Sequence, residues 1–215
     1  IPKRPMNQFR VDALLQSNLK KANKEAEIEK VYAELVQINQ QDPLAIGLKG
    51  YMLIDSDFTS AWSCLVRSIK LGCTCFSFIE LVLVFWEKHP ELCEPSEMDS
   101  LVELIVKNNH KNGRVLLFVG YYYEVAGSFV RAIELFTQAL DMGYKYSRYR
   151  LGIVQMKRGN TVLAIEACEA AFIDYPEDKA IMATLISLYT ESNNHDKAKE
   201  MIKLLGTAYQ LTVTE

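Results

Sequence analysis

The chain has 215 residues, and 49% of them are hydrophobic, which is enough to bury a folded core. Its net charge is −3, with both signs mixed along the chain, so the charge balance favours neither nucleic acid nor an anionic membrane as a partner. The cysteines are odd in number and lack the spacing of a small disulfide scaffold, which favours a reducing compartment. We therefore expect an intracellular protein of the cytoplasm or nucleus.

Residues 1–41 predict a pair of helices, because apolar side chains recur at helical spacing in the second half of this segment. The residues expected on the buried face are Ile28, Val31, Tyr32, Leu35 and Ile38. The apolar run at residues 77–86 is too short to cross a bilayer, which needs about 20 residues, and it predicts a buried helix. Because the sequence does not begin with methionine, we also expect a fragment of a longer protein.

One pattern recurs from residue 113 onwards with spacings of 32 and 34 residues, which indicates stacked helical hairpins. The small residue shared by the three copies is Ala132, Ala164 or Ala198. The turn residue of each copy is Gly127, Gly159 or Asn193. Glycine and asparagine adopt a positive φ at the lowest cost, so the two helices of each copy are expected to join at these turns.

Two glycines inside the first helices, Gly120 and Gly152, predict close packing within each hairpin. Glycine in a helix interior costs about 1 kcal/mol relative to alanine, and a close helix crossing offsets this cost. We expect these glycines to face the small residues Ala132 and Ala164 of the second helix. Phe136 is expected to fill the space towards the next copy.

These residues resemble the tetratricopeptide repeat family, whose pattern is a large residue, Leu-Gly, an aromatic residue, Ala, a large residue, Ala and Pro. Residues 113–144 and 145–178 match this pattern best, whereas residues 74–112 lack its turn glycine and are expected to form a divergent helical unit. The resemblance implies an all-α fold, a right-handed α-solenoid of antiparallel helix pairs that spans residues 1–215 as a single domain. The expected units are residues 1–41, 42–73, 74–112, 113–144, 145–178 and 179–211, the last with a terminal helix.

The first helix of each unit lines a concave surface in this family, and a partner segment binds there. Carried over to this chain, the resemblance implies an aromatic groove. The expected partner-binding residues are Arg114, Leu117, Tyr121, Glu124, Tyr146, Tyr149, Arg150 and Ile153. Tyrosine and arginine suit this role because each offers a wide contact area and a polar group. The carboxylate clamp of co-chaperone members is missing, because only Arg150 is basic among the corresponding positions.

The resemblance therefore implies a protein-interaction scaffold without a cofactor, a subunit of a multiprotein complex such as the anaphase-promoting complex. Its expected partner is a peptide or helix of another subunit. The last helix is too apolar for a solvated end of a repeat array, so we expect it to stack on further C-terminal repeats or on a second copy in a homodimer. The residues expected at this self-association surface are Met201, Leu204, Leu205 and Tyr209.

Two other functions are weaker alternatives. A helical-repeat RNA-binding protein needs a basic concave face, which this acidic chain does not predict. A zinc-binding protein or enzyme would use the one cluster of suitable residue types, which is Cys73, Cys75, His89 and Cys93. Cys73 and Cys75 lie one residue too close for a usual pair of zinc ligands. Because no nucleophile motif, phosphate loop or His-Glu-x-x-His motif occurs, we expect no enzymatic activity and no bound metal.

Overall fold

The computed structural model describes residues 4–17 and 21–211, with side chains from residue 7 to residue 207 except residue 22. Over these residues the chain forms twelve α-helices and one short 3-10 turn at Pro90–Leu92, with no strand. The helices are α1 Arg4–Leu15, α2 Lys21–Ile38, α3 Pro43–Leu53, α4 Phe58–Lys70, α5 Phe76–Lys88, α6 Pro95–Asn109, α7 Gly113–Val125, α8 Phe129–Asp141, α9 Ser147–Lys157, α10 Thr161–Asp174, α11 Lys179–Glu191 and α12 His195–Leu211. The expected all-α fold of helical repeats is confirmed.

The chain divides into two compact units, residues 1–110 and residues 111–215. Within the second unit, α7 packs on α8, α9 on α10, and α11 on α12, and each hairpin also packs on the next. Within the first unit, the closest pair is α3 and α4. A single array over the whole chain stays a prediction. No helix in the described residues has both the length and the apolar character needed to cross a membrane.

Short acidic side chains begin several of these helices. Asp42 accepts a hydrogen bond from the Leu44 amide at 2.8 Å, and Asp178 accepts one from the Ala180 amide at the same distance. Such caps satisfy amide groups that have no partner inside the helix. The N-cap residue of α5 is Cys75, whose side chain makes no capping hydrogen bond.

The missing cap of α5 is supplied by α1, from a distant part of the sequence. The Asp12 carboxylate accepts hydrogen bonds from the Phe76 amide at 3.1 Å and the Ser77 amide at 2.8 Å. It also accepts bonds from the Ser77 hydroxyl at 2.9 Å and the Cys75 thiol at 3.1 Å. Burial, with a smaller contribution from the Asp12 charge, raises the pKa of the Cys75 thiol, which therefore keeps its proton and donates. This carboxylate thus joins α1 to the positive end of α5.

The helical face expected in α2 is confirmed for Ile28, Val31 and Leu35, which are all buried. Tyr32 is half-buried. The prediction is wrong for Ile38, which is 74% exposed because it is the last residue of α2.

The divergent unit contains two helices, but α5 and α6 do not pack along each other as α3 and α4 do. Residues 89–94 connect them through the 3-10 turn, and Pro95 begins α6. Pro90 in this connection and Pro95 at the first position of α6 favour an extended entry to α6 over a tight reversal of the chain. As a result, α6 packs against α4 of the preceding pair.

The predicted turn residues of the second unit have the expected conformation. Gly127, Gly159 and Asn193 have φ values of 76°, 77° and 58°. Asn193 is the one residue other than glycine with a positive φ in the described part of the chain. These positions end the first helix of each hairpin and reverse the chain within three residues.

The two helix glycines lie at close contacts, with one difference from the expectation. A Cβ atom on Gly152 would lie 2.4 Å from the Cys168 sulfur and 3.2 Å from the Ala164 carbonyl oxygen, so this crossing is as predicted. A Cβ atom on Gly120 would instead lie 2.5 Å from the Phe136 ring. The phenylalanine therefore fills the space over Gly120 within its own hairpin, and its packing towards the next copy stays a prediction.

Candidate functional site

The candidate site is the surface formed by the first helices of the second unit, which we call the first-helix face. It is defined by Leu117 and Tyr121 of α7, by Arg150 and Ile153 of α9, and by Tyr146 just before α9. All five side chains are partly accessible. The turn at Gly127 reverses the chain from α7 into α8, and the turn at Gly143 returns it from α8 into α9, which brings α7 and α9 into contact.

Arg150 lies at the centre of this face. Its guanidinium carbon is 4.5 Å from the centre of the Tyr121 ring, within the range of a cation–π contact. One of its terminal nitrogens donates to the Glu124 carboxylate. Arg150 therefore links the aromatic side chain of α7 to a carboxylate of the same helix, and the sequence prediction that these residues lie together agrees with their positions.

Glu124 is 3% exposed, so it supports the site from within and a partner cannot reach it. Its second carboxylate oxygen accepts a hydrogen bond from the Lys157 ammonium group at 2.8 Å. A buried carboxylate is stable when cations and hydrogen bonds compensate the loss of water. The resulting group of Glu124, Arg150 and Lys157 carries one net positive charge on the first-helix face.

Tyr146 and Tyr149 form a second aromatic group at the start of α9. Their ring centres are 5.4 Å apart, and Tyr175 lies 5.6 Å from Tyr146 on the other side, both with edge geometry. Tyr149 is only 8% exposed, and its hydroxyl hydrogen-bonds the Thr184 hydroxyl at 3.1 Å. It therefore holds α9 against α11, which leaves Tyr146 as the more accessible ring.

The remaining predicted residues differ in their accessibility. Arg114 is exposed at the start of α7, and Leu117 is half-buried one turn later. Ile153 is half-buried and packs against the core of the last two hairpins. Burial raises the pKa of the Tyr146 hydroxyl, with Asp178 adding to the effect, so this hydroxyl is a neutral hydrogen-bond donor or acceptor.

Sequence reasoning did not identify Lys157 and Thr184 as parts of this site. Lys157 follows Glu124 by 33 residues, close to one repeat period, so a search for opposite charges one repeat apart could have found it. Thr184 gives no such signal, because a threonine on a helix surface usually faces solvent.

The surface predicted for self-association is only partly apolar and accessible. Met201 packs into the core of the last two hairpins, so the expectation that it lies on an open surface is wrong. Leu204 is 40% exposed, and the neighbouring Ile202 is 54% exposed. Leu205 is half-buried, and the side chain of Tyr209 lies outside the described residues.

The cysteine and histidine residues of the alternative zinc site have other surroundings. Cys73 and Cys75 are buried, and burial raises the pKa of Cys73 to about 11. His89 contacts Glu91 at 3.1 Å, and Cys93 donates a weak hydrogen bond to Glu97. Within residues 4–17 and 21–211, no three His, Cys, Asp or Glu side chains are grouped so that they could hold a metal ion.

Comparison with known proteins identifies the family that the repeats of the second unit resemble. Residues 155–211, from the end of α9 to the end of α12, match the family model described as tetratricopeptide repeat. Over these residues the resemblance to the tetratricopeptide repeat family is confirmed. No curated protein matches the chain.

Solved structures show the same fold over most of the chain. A crystal structure of MamA aligns with a TM-score of 0.65 and 15% identity, over 81% of this chain and 96% of MamA. YrrB, described as a tetratricopeptide repeat protein with an unusual peptide-binding site, aligns with a TM-score of 0.61 and 15% identity, over 82% of this chain and 91% of YrrB. PilF of Pseudomonas aeruginosa aligns with a TM-score of 0.61 and 15% identity, over 79% of this chain and 77% of PilF. At these identities the likeness establishes the fold alone.

Proposed function

We propose that this tetratricopeptide repeat protein is an interaction scaffold, a subunit of a multiprotein complex, and that its first-helix face binds a segment of a partner protein. The observation that carries this proposal is the Arg150–Tyr121 contact, where a cation and an aromatic ring share a partly accessible surface held rigid by the buried Glu124. A preorganised surface loses little conformational entropy when a partner binds. A peptide-binding site in a protein of the same fold supports this interpretation.

The partner segment that fits this face has both apolar and polar side chains. Leu117 and Ile153 offer apolar contact, while Tyr121 and Tyr146 combine ring surface with a hydroxyl group. The net positive charge around Arg150 favours a segment that carries a carboxylate near its apolar residues. Both an extended peptide and a helical peptide can present apolar side chains and a carboxylate in this way.

Selection from a random peptide display library tests this proposal. We expect enriched peptides to bind the wild-type protein and to lose about tenfold in affinity with Tyr121→Ala, because aromatic anchors concentrate binding energy. Val130→Ala is the matched control, since Val130 is exposed on the second helix α8, away from the first-helix face. Equal loss of affinity in both variants, or no enrichment of peptides, would contradict the proposal.

Self-association is a second candidate, because Ile202 and Leu204 expose apolar surface on α12. We expect light scattering over a concentration series to show a mass that rises towards a homodimer. The double variant Ile202→Ser and Leu204→Ser should shift this transition to higher concentration, because it removes apolar area from the contact. A monomer at every concentration would rule out this assembly.

A further inference from the structure

A groove lies between α4 and α6 in the first unit, whereas the first-helix face belongs to the second unit. It consists of two adjoining cavities of about 380 and 430 Å³, which share Lys70 and Glu97 in their walls. We call it the α4–α6 groove. Its apolar lining residues are Trp62, Val66, Leu71, Leu92, Leu101 and Leu104.

This groove follows from the divergence of residues 74–112. Because the connection at residues 89–94 carries α6 away from α5, α6 meets α4 and leaves a channel between them. Leu71, at the end of α4, remains 49% exposed in this channel. Exposed apolar surface in a rimmed groove is typical of a binding site.

The walls of the groove have the spacing of helix ridges. On α4 the lining residues Trp62, Val66 and Lys70 recur every fourth position. On α6, Glu97, Leu101 and Leu104 recur at helical spacing as well. Two such ridges form a groove into which the ridge of a third helix packs.

The charges at the groove favour an acidic partner. Arg67 and Lys70 line it from α4, and Glu97 lines it from α6, so cations exceed carboxylates. Arg67 donates a hydrogen bond to the neutral Gln41 amide at 2.7 Å, which leaves its charge uncompensated by that contact. Lys70 and Glu97 both lie where the two cavities meet, and Arg67 in the first cavity leaves one cation in excess.

We propose that the α4–α6 groove binds an amphipathic helix of a partner protein, with apolar side chains between α4 and α6 and an acidic side chain at Lys70. This interaction is separate from the binding at the first-helix face and extends the proposed scaffold function. It gives the divergent unit a role that the regular repeats do not have.

Two synthetic helical peptides of about 18 residues, long enough to form a helix, test this proposal. They share one leucine face and differ in the polar face, which is rich in glutamate in one peptide and in lysine in the other. We expect the acidic peptide to bind more tightly to the wild-type protein. Lys70→Glu should weaken the acidic peptide by about fivefold and strengthen the basic one, because it reverses the charge of an exposed contact.

A second pair of variants tests the apolar contact between Leu71 and the peptide. Leu71→Ser should weaken the acidic peptide by about tenfold, because it removes a leucine side chain from the interface. Ile38→Ser, which changes an exposed residue at the end of α2, should leave the affinity unchanged. Thermal unfolding followed by circular dichroism is the control that checks whether each variant is folded.

Alkylation of cysteines locates the bound peptide. Cys93 lines the groove and is half-buried, while the half-buried Cys64 lies outside it. The acidic peptide should slow the alkylation of Cys93 and leave that of Cys64 unchanged. Equal affinity for both peptides, or unprotected Cys93, would overturn the proposal.

Two further results would assign the peptide or the groove differently. Loss of peptide binding with Tyr121→Ala would place the peptide on the first-helix face and overturn the proposal. Protection of Cys93 that increases with protein concentration, in the absence of peptide, would show that a second copy of the chain occupies the groove. That outcome would also overturn the proposal, and it would leave binding at the first-helix face to be judged by its own variants.

Discussion

Replacing Glu124 with alanine is expected to lower the free energy of unfolding by about 3 kcal/mol, because it leaves Arg150 without its partner in a mostly buried position. The side chain of Arg150 is 19% exposed, and that of Glu124 is 2% exposed. The Lys157 side chain is more exposed to solvent, so the loss of Glu124 costs less stability at Lys157 than at Arg150. Chemical denaturation in urea measures the change in the free energy of unfolding. An unchanged dependence of that free energy on urea concentration would show that the variant unfolds in the same two-state transition.

A matched glutamate in the same unit provides the control. Glu134 on α8 pairs with Arg131 at 2.9 Å, but both side chains are accessible. Exposed pairs at this spacing contribute about 0.5 kcal/mol, so Glu134→Ala should change stability little. If Glu124→Ala destabilises the protein no more than Glu134→Ala, the buried charge group does not hold the first-helix face together.

The isosteric variant Glu124→Gln separates charge from packing. It keeps the volume and one acceptor oxygen, so we expect it to be less destabilising than Glu124→Ala. It also removes the anchor of Arg150, so peptides selected on the first-helix face should bind it more weakly than the wild type. A joint loss of stability and of peptide affinity would show that Glu124 supports both the fold and the first-helix face.

Replacing Asp12 with alanine is expected to lower the free energy of unfolding by about 2 kcal/mol, because the cap of α5 and the contact between α1 and α5 are lost together. The carboxylate accepts four hydrogen bonds from Cys75, Phe76 and Ser77. Without it, the amides at the start of α5 have no capping partner from a side chain. Urea denaturation measures the loss of stability.

Hydrogen exchange distinguishes this mechanism from general destabilisation. In Asp12→Ala, the amides of Phe76, Ser77 and α1 should exchange faster, while those of α11 in the other unit should not. Asp55→Ala is the control, because Asp55 is an exposed carboxylate that pairs only with the exposed Lys21 among the described residues. Equal exchange rates in Asp12→Ala and the wild type would show that the position of α1 does not depend on this carboxylate.

The regular part of the fold could be predicted from the sequence because it depends on local features. A positive φ at Gly127 and the close crossing at Gly152 both follow from residue types whose conformational preferences are strong. The aromatic packing of Tyr122 and Tyr123 in the interior was also accessible from the repeat pattern. These features recur once per repeat, which makes each one a check on the others.

The less regular features could not be predicted, because they depend on contacts between distant residues. Nothing in the local sequence indicates that Asp12 caps α5, or that α6 packs on α4. The burial of Glu124 was missed because a glutamate is usually exposed, and its compensation by Arg150 and Lys157 is visible only in three dimensions. Candidate binding residues chosen by helix position therefore included two, Glu124 and Tyr149, that lie inside the unit.

Because Asp12 bonds the first amides of α5, α1 can take its final position only after α5 has been synthesised. Asp12 and the Phe76 amide are 64 residues apart, so α1 leaves the ribosome, and can pack on α2, long before α5 is available to it. The hairpins of the second unit, by contrast, pack on neighbours that follow directly in the chain. Contacts between distant residues form late because closing a long loop costs entropy. Until residues 75–77 have emerged, α1 is held only by its contacts with α2, and its apolar side towards α5 stays uncovered.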